Sequence, residues 1–248
     1  MKQVLVVTGG GRGIGAATAI LAARRGYAVC VNYRDNVAAA TNVVETIRRT
    51  GVEAIAVRAD VASEPSVLEL FETVDRELGP LTALVNNAGI LETQMKLETM
   101  SSERVARVFA TNVVGAFTCA REAVRRMSTL RGGRGGAIVN VSSAAARLGG
   151  ATEYVDYAAS KGAIDTLTVG LAREVAGEGI RVNAVRPGVI DTEIHASGGV
   201  PDRAERVGKK APLGRAGRAD EIANAIVWLL SLEASYVTGS ILDVSGGR

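Results

Sequence analysis

The sequence predicts a doubly wound α/β fold in one domain, on three observations. Short β-rich runs alternate with helical patterns from one end of the 248 residues to the other, as repeated βαβ units do. Two of the runs, Val4-Leu-Val-Val7 and Ile138-Val-Asn-Val141, are nearly continuously apolar, which suits strands covered by helices on both faces. A glycine-rich turn follows the first run at once and opens into a helical pattern from Ala16 to Arg25.

The elements follow in order. Strands are predicted near 3–8, 28–33, 53–59, 82–86, 136–142, 180–186 and 240–243, with helices between them. A long helix begins near Ser101 or Ser102, either of which could accept from its first turn as N-cap, and it ends at the Gly/Arg-rich connector 126–136. Residues 191–214, with Gly198, Gly199, Pro201 and Pro212, carry no strand pattern; so long an irregular insert in a compact domain is expected to be functional, and it reads as a substrate lid. No linker or repeat divides the chain, so 1–248 is read as a single domain.

Composition narrows the function classes. Apolar residues at 47% and charged residues at 22% supply an ordinary globular core. The net charge of +3 is dispersed, and the densest cluster, Arg125, Arg126, Arg131 and Arg134, reads as a solvated turn, so no nucleic-acid partner is expected. Cys30 and Cys119 lie in apolar segments and suit buried, reduced thiols. The chain enters a strand almost immediately, and no apolar run approaches the ~20 residues that span a bilayer; a cytoplasmic protein without membrane contact is expected. No residue grouping suggests a metal site. The sole histidine, His195, lies in the lid segment without a Gly-x-Ser-x-Gly elbow elsewhere, so a surface or substrate-contact role is read for it rather than hydrolysis.

The chemistry sits at the strand ends. Thr8-Gly-Gly-Gly-Arg-Gly-Ile-Gly15 lets backbone N–H groups approach a pyrophosphate at a helix N-terminus, and Gly11-x-Gly13-x-x-Ala16 satisfies the general dinucleotide fingerprint. A Gly-Lys-Ser/Thr ending is missing, which disfavours a P-loop ATPase. At i and i+4 of one helix, Tyr157 and Lys161 share a face, and a cation near a phenol favours the phenolate, making Tyr157 a usable general acid and base near neutral pH. Tyr154 has no lysine at that spacing, since position 158 is Ala. Asn112 falls inside the long helix, where asparagine is a mediocre helix former and a special role is plausible.

In the alternative register the loop reads Gly9-x-x-x-Gly13-x-Gly15. Together with Asn86-Asn-Ala-Gly89, Ser142-Ser143, Tyr157-x-x-x-Lys161, and Pro187-Gly188 with Thr192, in that order, the chain resembles the short-chain dehydrogenase/reductase family over essentially its whole length. The chain resembles 3-oxoacyl-[acyl-carrier-protein] reductase-like and glucose 1-dehydrogenase-like members, while Glu178 and Glu153-Tyr-Val-Asp156 depart from the pattern of the carrier-protein reductases. The resemblance implies a Rossmann-type sheet of about seven strands and a homotetramer. It implies a catalytic set of Tyr157, Lys161, Ser143 and Asn112, with Ser143 rather than Ser142 holding the substrate oxygen and Asn112 opening its helix to hold a water that relays protons to the lysine. The serine-to-tyrosine interval of fourteen is about one longer than the family's. It further implies that Gly9, Arg12, Gly13, Ile14, Gly15, Asp60, Val61, Asn86, Ala88, Gly89, Pro187, Gly188, Val189 and Thr192 contact the dinucleotide.

The second strand speaks to cofactor identity. Sites preferring NAD place an acid near its end, about 20 residues past the glycines, to accept from the ribose 2′-OH. Here Asn32 and Tyr33 stand at that point, Arg34 follows, and Arg12 sits in the glycine loop, so NADP(H) is expected in preference to NAD(H); Asp35 is read as lying just outside the strand. The expected reaction interconverts a secondary alcohol and a ketone or aldehyde, with the substrate itself unread. The alternative of another class is a nucleotide-binding redox sensor without turnover.

Overall fold

The computed structural model describes residues 2–193, 199–200 and 202–248. Seven parallel strands form one sheet: β1 (Gln3–Val7), β2 (Tyr27–Tyr33), β3 (Ala54–Arg58), β4 (Ala83–Asn86), β5 (Gly136–Val141), β6 (Ile180–Pro187) and β7 (Ile241–Val244). Their order is β3-β2-β1-β4-β5-β6-β7, so the strand sequence reverses between β1 and β4. At such a switch point the connecting helices leave to opposite sides and open a crevice beyond the strands' carboxyl ends. All seven predicted strands are present, each within two residues of its predicted bounds.

Period-two alternation sorts the strand side chains between two helical layers. Leu5 and Val7 pack with α1 (Gly13–Arg24), α2 (Val37–Arg48) and the late helix Ala219–Leu230; Val4 and Val6 pack with α3 (Glu64–Glu77), and with the helices that contribute Cys119, Ala123, Ala172 and Val175. Both cysteines are buried in the core, and burial pushes both thiols up. Among the described residues no helix is long and apolar enough to cross a membrane.

The long central helix is not continuous. Ser101, not Ser102, caps α4 (Ser102–Phe109), accepting at Oγ from the Arg104 N–H. A π-helical turn over Ala110–Val114 then interrupts the ladder before α5 (Gly115–Met127), and Asn112 sits within it. The arginine cluster that starts in the last turn of α5 is partly absorbed by acids: Arg126 bridges Asp75 and Glu122, and Arg125 also reaches Glu122. A short helix α6 (Ala145–Leu148) precedes the long α7 (Val155–Val175), and α8 (Arg203–Gly208) and α9 (Ala219–Leu230) follow. Among the described residues the segment read as a lid holds the helix α8, while His195, Gly198 and Pro201 lie outside the described residues.

Candidate active site

The glycine loop is braced from three sides. Thr8 Oγ1 accepts from the Asn87 and Ala88 N–H groups, at 2.9 and 3.0 Å, and Asn87 Nδ2 donates to the carbonyls of Thr8 and Gly9. Asn32 accepts at Oδ1 from the Gly9 N–H, at 3.2 Å, and donates from Nδ2 to the Ala59 carbonyl at 3.0 Å. Gly13 lies in the left-handed region at φ +53°, and a Cβ on Gly15 would stand 2.4 Å from the Gly9 carbonyl, so both positions need glycine. The N-terminus of α1 has no side-chain cap and no acid in its first turn. Its first N–H groups face a cavity of 410 Å³ lined also by Tyr33, Arg34, Asp60, Val61, Ala88 and Gly89. An uncapped helix N-terminus behind a glycine cradle fits the pyrophosphate of a dinucleotide.

A second cavity of 360 Å³ opens beyond β5 and β6 and holds Ser143, Tyr157, Lys161, Pro187, Gly188 and Val189. The two share Ile14, Asn87, Gly89 and Thr192, so they are two ends of one cleft at the switch point. Ser143, just past β5, hydrogen-bonds the Tyr157 hydroxyl, whereas Ser142 is buried and donates to the Lys161 carbonyl. The longer serine-to-tyrosine interval is taken up by α6 and the turn after it, where Gly149, Gly150 and Thr152 all have positive φ.

Lys161 is buried and donates from Nζ to the Val141 carbonyl at 2.8 Å, with the ammonium 5.7 Å from the centre of the Tyr157 ring. Burial lowers the lysine to about 8, with Asp165 opposing. Burial pushes the Tyr157 hydroxyl up, and the opposing pull in this protein comes from the Ser143 hydrogen bond. Read from sequence, the lysine acts together with an oxidised nicotinamide; in the protein alone the hydroxyl is tuned first by desolvation, then by the serine. Asn112 faces the back of the cleft, accepting from Ile90 N–H at 2.8 Å and donating to Ile90 O and Ser160 Oγ. A side-chain atom on Gly89 would lie 3.3 Å from Asn112 Oδ1 and 3.5 Å from Lys161 Nζ, so amide and ammonium flank the same point.

Three sequence expectations are relocated by the geometry. Asn86 lines neither cavity; its amide donates to Ala116 O and Asn140 Oδ1 inside the protein, and Asn87 faces the cleft instead. Gly15 is a packing position against the loop. Asn32 reaches the cavity wall, but its amide is spent on Gly9 and Ala59, so Tyr33 is the residue at the end of β2 whose side chain is not committed to the loop. Arg34 pairs with Asp35 at 2.6 Å and Arg12 with Glu193 at 3.3 Å, all four on the cavity's rim.

Sequence reasoning missed the substrate-side wall. Arg203, buried at the start of α8, forms a bidentate ion pair with Glu153 and a short hydrogen bond with the Tyr154 hydroxyl; Tyr154 in turn packs edge-on against Tyr157, ring centres 5.7 Å apart. Arg248 also lines this cavity. Neither arginine stands in a motif or a periodic element, so nothing local marked it.

Comparison with known proteins agrees with this geometry. The family model described as Enoyl-(Acyl carrier protein) reductase matches residues 9–248. The chain belongs to the short-chain dehydrogenase/reductase family. It is 58% identical over 245 residues to the oxidoreductase YgfF of Escherichia coli K12, covering 99% of each chain. It is 41% identical over 247 residues to cis-4-hydroxycyclohexanecarboxylate dehydrogenase of Sinomonas cyclohexanicum, covering 99% of this chain and 96% of that one. A short-chain dehydrogenase of Burkholderia cenocepacia J2315, solved in complex with NADP, superposes with TM-score 0.90 at 32% identity, over 99% of this chain and 97% of that one. As a member of the family the chain is an oxidoreductase acting on CH–OH or carbonyl groups, with a Rossmann NAD(P)-binding fold.

Proposed function

We propose that this protein interconverts a secondary alcohol and a ketone or aldehyde using NADP(H), with Tyr157 as general acid and base. The observation that carries the reading is the Ser143–Tyr157 hydrogen bond in the 360 Å³ cavity, which shares Gly89 and Thr192 with the cavity of the glycine loop, with buried Lys161 behind it. When bound, the nicotinamide supplies or takes up the hydride. The protein does the rest. Ser143 and Tyr157 hold the substrate oxygen, and in the reducing direction Tyr157 gives its hydroxyl proton to that oxygen. Lys161 stabilises the phenolate left behind, and Asn112, across Gly89 from the ammonium, is placed to hold a water that returns the proton. Lys161 is buried and Tyr157 partly so, which limits the access of bulk water to the pair.

Gly9, Arg12, Gly13, Ile14, Ala88 and Gly89 would hold the pyrophosphate and adjoining ribose, Asp60 and Val61 the adenine, and Pro187, Gly188, Val189 and Thr192 the carboxamide end. NADP(H) over NAD(H) is supported by Arg12 and Arg34: a 2′-phosphate would replace the carboxylates of Glu193 and Asp35 that hold the two guanidinia now. Residues 191–214 act as a substrate lid, fastened through Arg203 to Glu153 in the turn before the catalytic helix. A homotetramer is the proposed assembly, supported by the exposed Val114 at the end of the π-helical turn and Phe117 of α5, and by the exposed Ala159 and partly exposed Gly162 and Ala163 of α7.

Tyr157→Phe tests the mechanism. Turnover of a panel of ketones, aldehydes and sugars followed by NADPH absorbance should fall by about 10²–10⁴-fold with NADPH affinity nearly kept. Near wild-type turnover in the variant would sink the general-acid assignment, and silence of the wild type across the panel would favour the redox sensor.

A further inference from the structure

The substrate end of the cleft has a charge balance that follows from which side chains are already paired. Its ionisable lining, besides the two tyrosines, is Glu153, Lys161, Arg203 and Arg248. Glu153 and Arg203 cancel in a bidentate pair at 2.8 and 2.9 Å. Lys161 is turned to the Val141 carbonyl behind the tyrosine. Arg248 remains. Its main-chain oxygen accepts from Arg147 and Ser245, both at 2.7 Å, which fixes the residue while leaving its guanidinium with no ion-pair partner among the described residues. Asp243 of β7 is held between Arg147 and Arg186 at 3.6 and 3.8 Å. The rest of the wall is largely apolar, with Leu91, Ala145, Leu148, Val189 and Ile190.

We propose that this end of the cleft takes a carboxylate: the substrate is an oxo- or hydroxy-acid whose reacting carbon and carboxylate are separated by an apolar body, and Arg248 is the residue that reads the charge. This rests on the oxidoreductase reading of the same cleft. An apolar wall gains by covering the body, and a guanidinium offers a planar fork that matches a carboxylate bidentately. The neutralised Glu153–Arg203 pair cannot serve in that role without breaking its own bonds, a costly step for a buried pair. A neutral ketone of the same shape would fit the walls and leave the arginine to water.

The test uses full-length protein loaded with NADP⁺ or NADPH and two probe pairs. The reacting pair is 4-acetylbenzoate and 4-acetylbenzamide, compared by kcat/KM. The non-reacting pair is 4-ethylbenzoate and 4-ethylbenzamide, compared by calorimetric affinity for the NADP⁺-loaded protein. The acid should be preferred by about tenfold in wild type, the preference should fall to near one in Arg248→Gln, and Arg248→Lys should keep part of it. Equal affinity for the two non-reacting probes in wild type, no measurable binding of either, or a preference that survives in Arg248→Gln overturns the proposal. If the benzoate binds with the expected preference but neither ketone is turned over, the charge assignment stands and the oxidoreductase reading is what fails.

Discussion

Asn32→Asp separates a loop-bracing role from a cofactor-reading role at the end of β2. Read from sequence, an acid at this position would offer the NAD ribose an acceptor and shift preference toward NAD(H). The structure predicts otherwise. Asn32 is 2% exposed, and its Nδ2 donates to the Ala59 carbonyl at 3.0 Å, with the Tyr33 and Val57 carbonyls each at 3.4 Å. A carboxylate there keeps the acceptor for Gly9 N–H but turns the donor into a second acceptor among three carbonyl oxygens. Stranding the buried Ala59 carbonyl costs roughly 1–3 kcal/mol, and burying the charge adds to it, so about 2–4 kcal/mol is expected at pH 7. Burial raises the introduced group above the ~3.9 of a free aspartate, and once protonated it can donate to Ala59 again. The penalty is therefore present above the raised folded-state value and shrinks as pH falls below it, as linkage requires for a group that binds its proton more tightly when folded.

Urea denaturation of wild type and Asn32→Asp at pH 7 and pH 4 reads the stability difference, and kcat/KM with NADPH and NADH reads the preference. Both cofactors should lose activity together because the loop over Gly9 loosens. Arg34→Ala supplies the contrast: its guanidinium is half exposed on the rim and braces no loop, so stability should hold while the ratio moves toward NADH by about tenfold. An Asn32→Asp protein of wild-type stability with a tenfold gain toward NADH would refute the assignment of Asn32 to the loop.

Lys161→Met should stabilise the protein without cofactor. Burial lowers the lysine from its ordinary 10.5 to about 8, so its ionisation costs the folded state about 3 kcal/mol below pH 8, less what the lost Val141 hydrogen bond, roughly 1 kcal/mol, takes back. The gain should fade between pH 8 and 10.5 as the unfolded lysine also loses its proton, and a difference independent of pH in urea denaturation would contradict this. For the assembly, light scattering at micromolar concentration should give four times the 25.7 kDa chain mass, and a monomeric mass would remove the proposed role of Phe117 and Val114.

What could be read in advance divides along a physical line. The strands were legible because their burial pattern is local: four apolar residues in β1 face two layers by alternation alone. Tyr157 and Lys161 were legible because helical spacing fixes their relation before any tertiary contact forms, and Ser101 was legible to within one residue as a cap for the same reason. The choice between adjacent residues was harder. Asn86 still pairs in register with Asn140 of β5, so its side chain is committed to the interior, while Asn87, one residue on, leaves the sheet and enters the cleft; the strand has to end before the second asparagine is free, and strand ends are weakly encoded. Asn32 is the same case, where a side chain that sequence assigns to a ligand is instead consumed by a loop 23 residues earlier.

The charged pairs of the substrate wall were not legible, and the reason bears on how far this family's sequences can be read. Arg203 and Glu153 meet across 50 positions, Arg147 and Arg248 across 101, and none of these lies in a segment whose periodicity fixes a facing. The proposed catalytic groups stand on α7, at the end of β5 and in the π-helical turn beside them, and carry the reaction class. The residues that decide the charge of the substrate end come from turns and short helices brought together by the fold. Two chains can therefore share every catalytic motif and differ in substrate through a single rim arginine. Exchanging that residue should change which substrate is preferred while leaving the hydride and proton chemistry as it is.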